Sequence, residues 1–169
     1  RTYNNSGRET SYLGTGSDNS GQLRIYDKKG ETRSYLGDGY LQAYNQFGER
    51  TIFLGTGTNG GGYLRTYNFS GQESIYVGTG ADSSGQIRIY DNTGETGSFL
   101  GSGYFRTYNR FGKMTTFIGN ATDGGGYLRT NNKFETETAF LGTNNANEGL
   151  INLNDKFGQS FWIRLNKKN

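Results

Sequence analysis

Arginine and tyrosine side chains recur two positions apart along this chain, which is the spacing that places both on one face of a β-strand. Guanidinium groups beside aromatic rings can bind sugars, nucleic acids or protein surfaces. The candidate ligand-binding residues are Arg24, Tyr26, Arg65, Tyr67, Arg88, Tyr90, Arg106 and Tyr108. The alternative, which we favour, is that these side chains stack across neighbouring strands and hold a sheet together.

The composition offers few candidate catalytic residues. The chain has no histidine and no cysteine, so a serine or cysteine nucleophile would lack its usual base. A carboxylate pair could be drawn from Glu9, Glu31, Glu49, Glu73 and Glu95. These glutamates recur with the sequence repeat, whereas a catalytic site usually interrupts a repeat at one place. We therefore predict no catalytic residue and no enzymatic activity.

Four polar loop residues share one offset and raise the question of a metal site. They are Asp18, Asn59, Asp82 and Asp123. Each loop offers at most one carboxylate, fewer than Ca²⁺ requires. Turn formation is therefore the expected role of these residues, and the sequence predicts neither a metal ion nor another cofactor.

Charge and hydropathy argue against nucleic acid and membrane partners. The formal net charge is only +3, and acidic residues interleave with basic ones. Lys167 and Lys168 form a basic cluster near the C-terminal end of the sequence, which we expect to be a solvated tail. No apolar stretch approaches the ~20 residues of a membrane-spanning helix.

The whole chain is a tandem repeat. Units begin at residues 1, 24, 42, 65, 88, 106, 129 and 152, and a longer period of 64 residues brings RTYN at 1 back at 65. The fourth residue of every unit is Asn or Asp, and the seventh is Gly in all units but one, where it is Glu135. Asn/Asp-x-x-Gly is a turn sequence, because the first side chain can accept backbone N–H groups and glycine tolerates positive φ.

The segments beside each turn have strand patterns. In YLRTYN, Leu64, Thr66 and Asn68 are predicted to point to one face, and Tyr63, Arg65 and Tyr67 to the other. The sequence therefore predicts an all-β fold of stacked hairpin repeats. An elongated β-solenoid, an antiparallel meander and a closed ring of hairpins, barrel or propeller-like, all remain open.

Two aliphatic columns are the predicted core. They are Leu23, Leu41, Leu64, Ile87, Phe105, Leu128 and Ile151, with Leu13, Leu36, Leu54, Val77, Leu100, Ile118 and Leu141. Only 31% of the residues are hydrophobic, so this core would be slender. A rod, a ring, or an oligomer that shares its core are the outcomes we expect.

The repeats are predicted to form one domain with a modified end. Residues 1–151 hold seven units, and residues 152–169 hold a degenerate unit in which Trp162 is expected to pack over the last rung as a cap. Arg1 falls inside the repeat pattern. We therefore expect either further repeats upstream in a parent protein or closure against the last unit.

The glycine-rich YNxxG…LG units resemble repeats of bacterial surface proteins and phage tail-fibre stalks. This resemblance implies an extracellular, cell-surface or virion-associated location. We accordingly expect a non-catalytic structural or adhesive repeat module that self-assembles or forms a homo-oligomer. The alternative is a multivalent carbohydrate-binding protein that presents its Tyr/Arg face to surface glycans.

Overall fold

The computed structural model describes residues 1–58, 60–122, 124–144 and 146–165, which form sixteen β-strands and no helix. The first eight are β1 (Thr2–Tyr3), β2 (Glu9–Thr15), β3 (Gly21–Tyr26), β4 (Thr32–Gly37), β5 (Tyr40–Tyr44), β6 (Arg50–Thr56), β7 (Gly62–Tyr67) and β8 (Glu73–Thr79). The other eight are β9 (Gly85–Tyr90), β10 (Thr96–Gly101), β11 (Tyr104–Tyr108), β12 (Met114–Asn120), β13 (Gly126–Asn131), β14 (Glu137–Thr143), β15 (Gly149–Asn154) and β16 (Ser160–Leu165).

The strands follow one another in chain order from β1 to β16. Pairing is antiparallel throughout β1 to β8 and throughout β9 to β16. The predicted all-β hairpin fold is therefore confirmed, and the antiparallel meander is the arrangement found. A β-solenoid would need parallel strands stacked in columns, and a closed ring would need the first and last strands of the sheet to pair with each other. Neither describes the part of the chain defined here.

The chain divides into two compact units. One contains β1 to β8, and the other contains β9 from Gln86 onward and β10 to β16. Within each unit, strands contact only their neighbours in sequence, so each unit has one layer of strands. The division into seven repeats and a C-terminal cap within one domain stays a prediction.

The Asn/Asp-x-x-Gly segments form the turn of every hairpin. In all eight turns the Oδ1 atom of the Asn or Asp accepts the backbone N–H of the residue four positions later, at 2.9–3.1 Å. The glycine N–H bonds back to the carbonyl of the Asn, as from Gly71 to Asn68 at 3.0 Å. Gly71 has φ of +77°, as the predicted turn mechanism requires.

The connections between hairpins lie at the opposite strand ends. Two of them are tight two-residue turns, Asp38-Gly39 and Ser102-Gly103, with positive φ at both residues. The longer ones contain a second turn, for example the one closed by the Gly16 N–H bonded to the Ser20 carbonyl at 2.7 Å. In each unit the extra residues of the long repeats therefore lie along one edge, as the sequence predicts.

Glu135 is the one non-glycine residue at the glycine position of a hairpin turn, and it keeps φ at +66°. Its carboxylate accepts the Met114 N–H at 3.0 Å and lies 3.2 Å from Lys113 Nζ. The hydrogen bond from Met114, followed by Lys113, holds the pKa of this carboxyl below its usual value.

Glu135→Gly is expected to raise the free energy of unfolding by about 1 kcal/mol. The reason is that the backbone strain of a non-glycine residue at positive φ exceeds the stabilisation that an exposed ion pair provides. Urea denaturation at neutral pH measures it. Gly112, at the same position of another turn with φ of +70°, provides the reciprocal control. Gly112→Ala should lower stability by a similar amount. A loss of stability in Glu135→Gly would mean that the contacts with Met114 and Lys113 outweigh the strain.

The two faces of the strands differ in chemistry. The ladder face carries a central row that alternates mainly between Arg and aromatic residues: Tyr12, Arg24, Tyr35, Gln42, Phe53, Arg65 and Tyr76 in one unit, and Arg88, Phe99, Arg106, Phe117, Arg129 and Phe140 in the other. The aliphatic face carries the predicted columns, where Leu54 pairs with Leu64 and Leu64 with Val77. The predicted division of β7 between the two faces is confirmed.

The packed side of the sheet is the ladder face and not the aliphatic face. Phe117 on the ladder face is 5% exposed and is the one buried hydrophobic residue among those described. The aliphatic columns are open, with Leu13 at 77% and Leu141 at 52% exposure. The prediction that these columns form a buried core is therefore wrong for the single chain, because no second layer covers them.

Candidate functional site on the ladder face

Cross-strand register places each candidate arginine directly opposite an aromatic residue. Arg65 faces Phe53 on β6 and Tyr76 on β8, and Arg106 faces Phe99 on β10 and Phe117 on β12. Arg24 and Arg88 occupy the same position opposite Tyr35 and Phe99. The guanidinium groups lie over neighbouring rings, for example 4.2 Å from Arg106 Cζ to the Tyr104 centroid. These distances are in the range of cation–π attraction.

The rings of the ladder face also stack on each other. In the first unit Tyr35, Tyr40, Phe53, Tyr63 and Tyr76 form a continuous stack with centroids 5.1–5.8 Å apart. In the second unit Phe99, Tyr104, Phe117, Tyr127 and Phe140 form the equivalent stack at 4.6–5.5 Å. Gln22 and Gln86 hold the tyrosine position on β3 and β9, so those strands add no ring of this row.

Glycines make room for these stacks. Gly78, Gly119 and Gly142 pair directly with Tyr63, Tyr104 and Tyr127. A Cβ atom on Gly142 would lie 2.5 Å from the Tyr127 Cβ and 2.9 Å from the Gly126 carbonyl oxygen. These three glycines near the ends of β8, β12 and β14 therefore permit the close approach of a tyrosine.

The arginines are held mainly by rings rather than by carboxylates. Arg65 Nε lies 3.3 Å from Glu73 Oε2, an ion pair with partly exposed partners. That contact lacks hydrogen-bond geometry, and the Nε atoms of Arg88, Arg106 and Arg129 are buried without a hydrogen-bond acceptor in the described part of the chain. These side chains thus contribute their flat guanidinium surfaces to the ladder.

The candidate tyrosines lie nearer the hairpin turns. Tyr67 lies beneath Arg50, whose Cζ is 4.5 Å from the ring centroid. Tyr26 pairs with Thr32, and Tyr90 with Thr96. Each candidate tyrosine lies two residues from its candidate arginine on the same strand, so the four predicted pairs all lie on the ladder face, and their role as ligand-binding residues stays a prediction.

Two similar clefts open between neighbouring hairpins on the ladder face. The first has a volume of about 300 Å³ and is lined by Gln42, Tyr44, Glu49, Arg50 and Tyr67, with Gly48 and Gly71. The second has a volume of about 360 Å³ and is lined by Arg88, Glu95, Thr96, Phe99, Tyr104, Tyr108 and Gly112. Both combine aromatic rings, one arginine and one glutamate.

The sequence prediction included Tyr67, Arg88 and Tyr108 but not the other residues of these clefts. Arg50 follows a turn and lies outside the repeated Arg-x-Tyr pattern, so periodicity did not reveal it. Glu49 and Glu95 each follow the turn glycine of their hairpin, and that recurrence was the available signal.

A raised pKa marks one end of the first ring stack. Partial burial raises the pKa of Tyr35 to about 12, helped by Tyr40 and by the nearby Asp38 carboxylate. The Tyr35 hydroxyl lies 3.3 Å from Asp38 Oδ2. This phenol is therefore neutral and a hydrogen-bond donor at any physiological pH.

The acidic loops serve as turns. Asp18 Oδ1 accepts the Ser20 hydroxyl at 2.8 Å and its backbone N–H at 3.1 Å, which lowers the pKa of Asp18. Asp82 makes the same two contacts with Ser84. Asn59, Asp123, Lys167 and Lys168 lie outside the described residues. Among the residues that are described, no three His, Cys, Asp or Glu side chains come together as a metal site would require.

Comparison with known proteins gives no assignment. No protein-family model matches this sequence, and no curated protein is significantly similar to it. Within the described ranges, no helix has the length and apolarity needed to cross a bilayer.

Proposed function

We propose that this chain is a non-catalytic structural or adhesive repeat module of a fibre or of a cell or particle surface. The observation that supports the proposal most is the use of the ladder face. Its rings stack on each other at 4.6–5.8 Å, and its arginines lie over the same rings. Side chains that could bind a ligand therefore already stabilise the sheet.

The repetition of the hairpin supports the same proposal. Hairpins with the same turn and the same ring stack recur in both compact units, and each strand pairs only with its neighbours in sequence. Such a chain can gain or lose hairpins without redesign of a core, which suits a spacer or a presenting surface. A location on a cell or particle surface and self-assembly belong to this proposal.

A multivalent carbohydrate-binding protein is the second candidate, and the two similar clefts favour it. Each offers an aromatic ring, a guanidinium group and a carboxylate in a volume of about 300–360 Å³. Sugars are bound by such combinations of flat apolar and hydrogen-bonding groups. Two similar clefts on one chain would give avidity for surface glycans.

The length of the molecule tests the structural proposal. A variant in which residues 65–128 occur twice gains six strands, and one in which they are deleted loses six. A spacer requires that added strands extend the molecule along its length, so at ~4.8 Å per strand the structural proposal expects the longest dimension in small-angle X-ray scattering to rise or fall by roughly 29 Å. Each change should leave the circular dichroism of a β-sheet intact. An unchanged longest dimension in both variants would contradict a role as spacer.

A glycan array separates the two candidates. Under the structural proposal, the array shows no binding, and Tyr67→Ala and Tyr108→Ala leave adhesion to cells unchanged. Glycan binding by the native chain that both variants lose would instead support the carbohydrate-binding alternative. Tyr3→Ala provides the control, since Tyr3 is exposed and contributes to neither cleft.

A further inference from the structure

The aliphatic face presents a continuous uncharged stripe in each unit. In the first unit, the leucine row is accompanied by a second row two residues away along the strands. That second row consists of Ser11, Ile25, Ser34, Ala43, Ile52, Thr66 and Ile75. In the second unit it consists of Ile89, Ser98, Thr107, Thr116, Thr130, Ala139 and Leu153. We call the two rows together the aliphatic stripe.

The stripe is open to solvent along its length. The side chains of Leu13, Leu36, Leu41, Leu54, Val77, Ile25, Ile52 and Ile75 are all exposed in the first unit. In the second unit the same holds for Ile87, Ile89, Leu100, Ile118, Leu141 and Ile151. Single exposed leucines are ordinary in proteins, but contiguous rows of them mark an interaction surface.

The size of one stripe matches a protein interface. In the first unit, β2 to β8 are seven strands, which at ~4.8 Å spacing span about 34 Å, and two rows cover about 13 Å along the strands. The planar area is therefore about 440 Å². Two such stripes packed face to face would bury about 900 Å² in total. Because the side chains project from the plane, the accessible area buried is larger and approaches the ~1,000 Å² of a specific interface.

The stripe has grooves as well as ridges. In the first unit, Leu36, Leu41, Leu54, Leu64 and Val77 line a shallow groove with Gly62. In the second unit, Ile118, Leu128, Leu141 and Ile151 line another, with Gly126 and Gly149. In the row beside the leucines these glycines pair with Thr56, Asn120 and Thr143, so a gap occurs at every second strand, and a matching relief can fill it.

We propose that the aliphatic stripe is covered by the aliphatic stripe of a second copy of this chain. From β2 to β15 the two rows of the stripe contain no charged residue, whereas on β16 Arg164 pairs with Ile151 at the end of the leucine row. The partner must therefore be uncharged and apolar over the strands before β16. A second copy has the same strand spacing and the same repeat, so its leucines meet grooves at every second strand. Two sheets packed in this way form a β-sandwich core.

This inference rests on the face itself and not on the proposed role, since an adhesive, a structural or a sugar-binding chain would equally need the stripe covered. It restores the buried aliphatic core that the single chain lacks. It also explains why the ladder face stabilises itself within one chain while the aliphatic face does not.

Sedimentation equilibrium of the full chain tests the proposal. The native chain is expected to show a mass of at least twice its 18.7 kDa. Leu141→Glu should raise the dissociation constant about 100-fold or more, because a charge would enter an apolar interface. Leu141 is half exposed in the single chain, so the variant monomer should keep its fold, which circular dichroism verifies. Leu54→Glu in the first unit repeats the test independently.

Matched controls lie on the hairpin turns. Phe111 and Phe69 are exposed apolar residues outside the stripe, 66% and 88% accessible. Phe111→Glu and Phe69→Glu make the same change in net charge, and association should be unaffected.

Trp162, the one tryptophan of the chain, provides an optical signal. It pairs with Leu153 on the aliphatic face and is 42% exposed. Its emission should shift to shorter wavelength as the native chain associates, and this shift should be absent in Leu141→Glu at the same concentration.

Several results would overturn the proposal. A monomer at every concentration would do so, as would an oligomer that neither Leu141→Glu nor Leu54→Glu weakens, since that would indicate association through strand edges. Equal dissociation by the Phe111 and Phe69 controls would attribute the effect to net charge. A monomer that binds phosphatidylcholine vesicles, with binding lost in Leu141→Glu, would assign the stripe to a lipid surface instead.

Discussion

Phe117→Ala is expected to lower the free energy of unfolding by about 3–5 kcal/mol, the largest effect of any single truncation in this chain. Phe117 lies at the centre of the second ring stack, with centroid distances of 5.5 Å to Tyr104 and 4.6 Å to Tyr127. Arg106 and Arg129 face it from the two neighbouring strands. Removal of the ring therefore interrupts the stack, takes away the ring beneath Arg129 and leaves Arg106 with the Tyr104 ring alone.

Urea denaturation followed by circular dichroism measures this effect at a fixed protein concentration. Phe111→Ala is the matched control, since Phe111 lies on an exposed turn, and it should change stability by less than about 0.5 kcal/mol. Phe117→Leu should fall between the two, because it keeps apolar volume but loses the stacking geometry. Equal stability of Phe117→Ala and Phe111→Ala would show that the ring stack does not stabilise the sheet.

Gly119→Ala is expected to destabilise the chain by about 3 kcal/mol, at the upper end of what overpacking costs. The added methyl group would overlap the Tyr104 Cβ and lie 2.9 Å from the Tyr104 Cα and 3.0 Å from the Gly103 carbonyl oxygen. These atoms belong to the backbone or adjoin it, so rotation of a side chain cannot relieve the overlap. The strand pair β11–β12 must separate instead.

Gly97→Ala is the control for this substitution. Gly97 also lies in a strand, and a Cβ there would come no closer than 3.6 Å to the Ile89 carbonyl oxygen, an ordinary contact. The change should be neutral or slightly stabilising, since alanine restricts the unfolded chain. Thermal unfolding of the two variants side by side measures the difference. A similar melting temperature for both would mean that the tyrosine can move away from the strand at small cost.

The local features of this fold were predictable because they depend on short segments. An Asn side chain that accepts two backbone N–H groups and a glycine at positive φ define each hairpin turn without help from distant residues. Strand alternation likewise separates Arg65 from Leu64. Glu135 shows the limit of the rule, because its turn forms without glycine and its carboxylate gains contacts with the neighbouring hairpin.

The burial of the two faces was not predictable from hydropathy. Leucine is more apolar than tyrosine or arginine, so the Leu64 column was assigned to the core. Ring stacking depends on the register that sets Tyr63 opposite Gly78, and that register appears only when strands pair. The direction of pairing was likewise open, because Asn/Asp columns arise in both a solenoid and a meander. Arg50 lines a candidate cleft because it lies over Tyr67 of the next hairpin. The periodicity of the sequence does not reveal this contact.

The pairing of each strand with its sequence neighbours also has a kinetic consequence. Even the widest pairs, such as Tyr63 with Gly78, join the two strands of a single hairpin. Because no contact between strands requires a long loop to close, the search for the native state is local and should be fast for an all-β chain. Any hairpin can serve as the nucleus, and folding can then propagate in both directions along the chain. A growing chain could thus fold hairpin by hairpin as it emerges during synthesis.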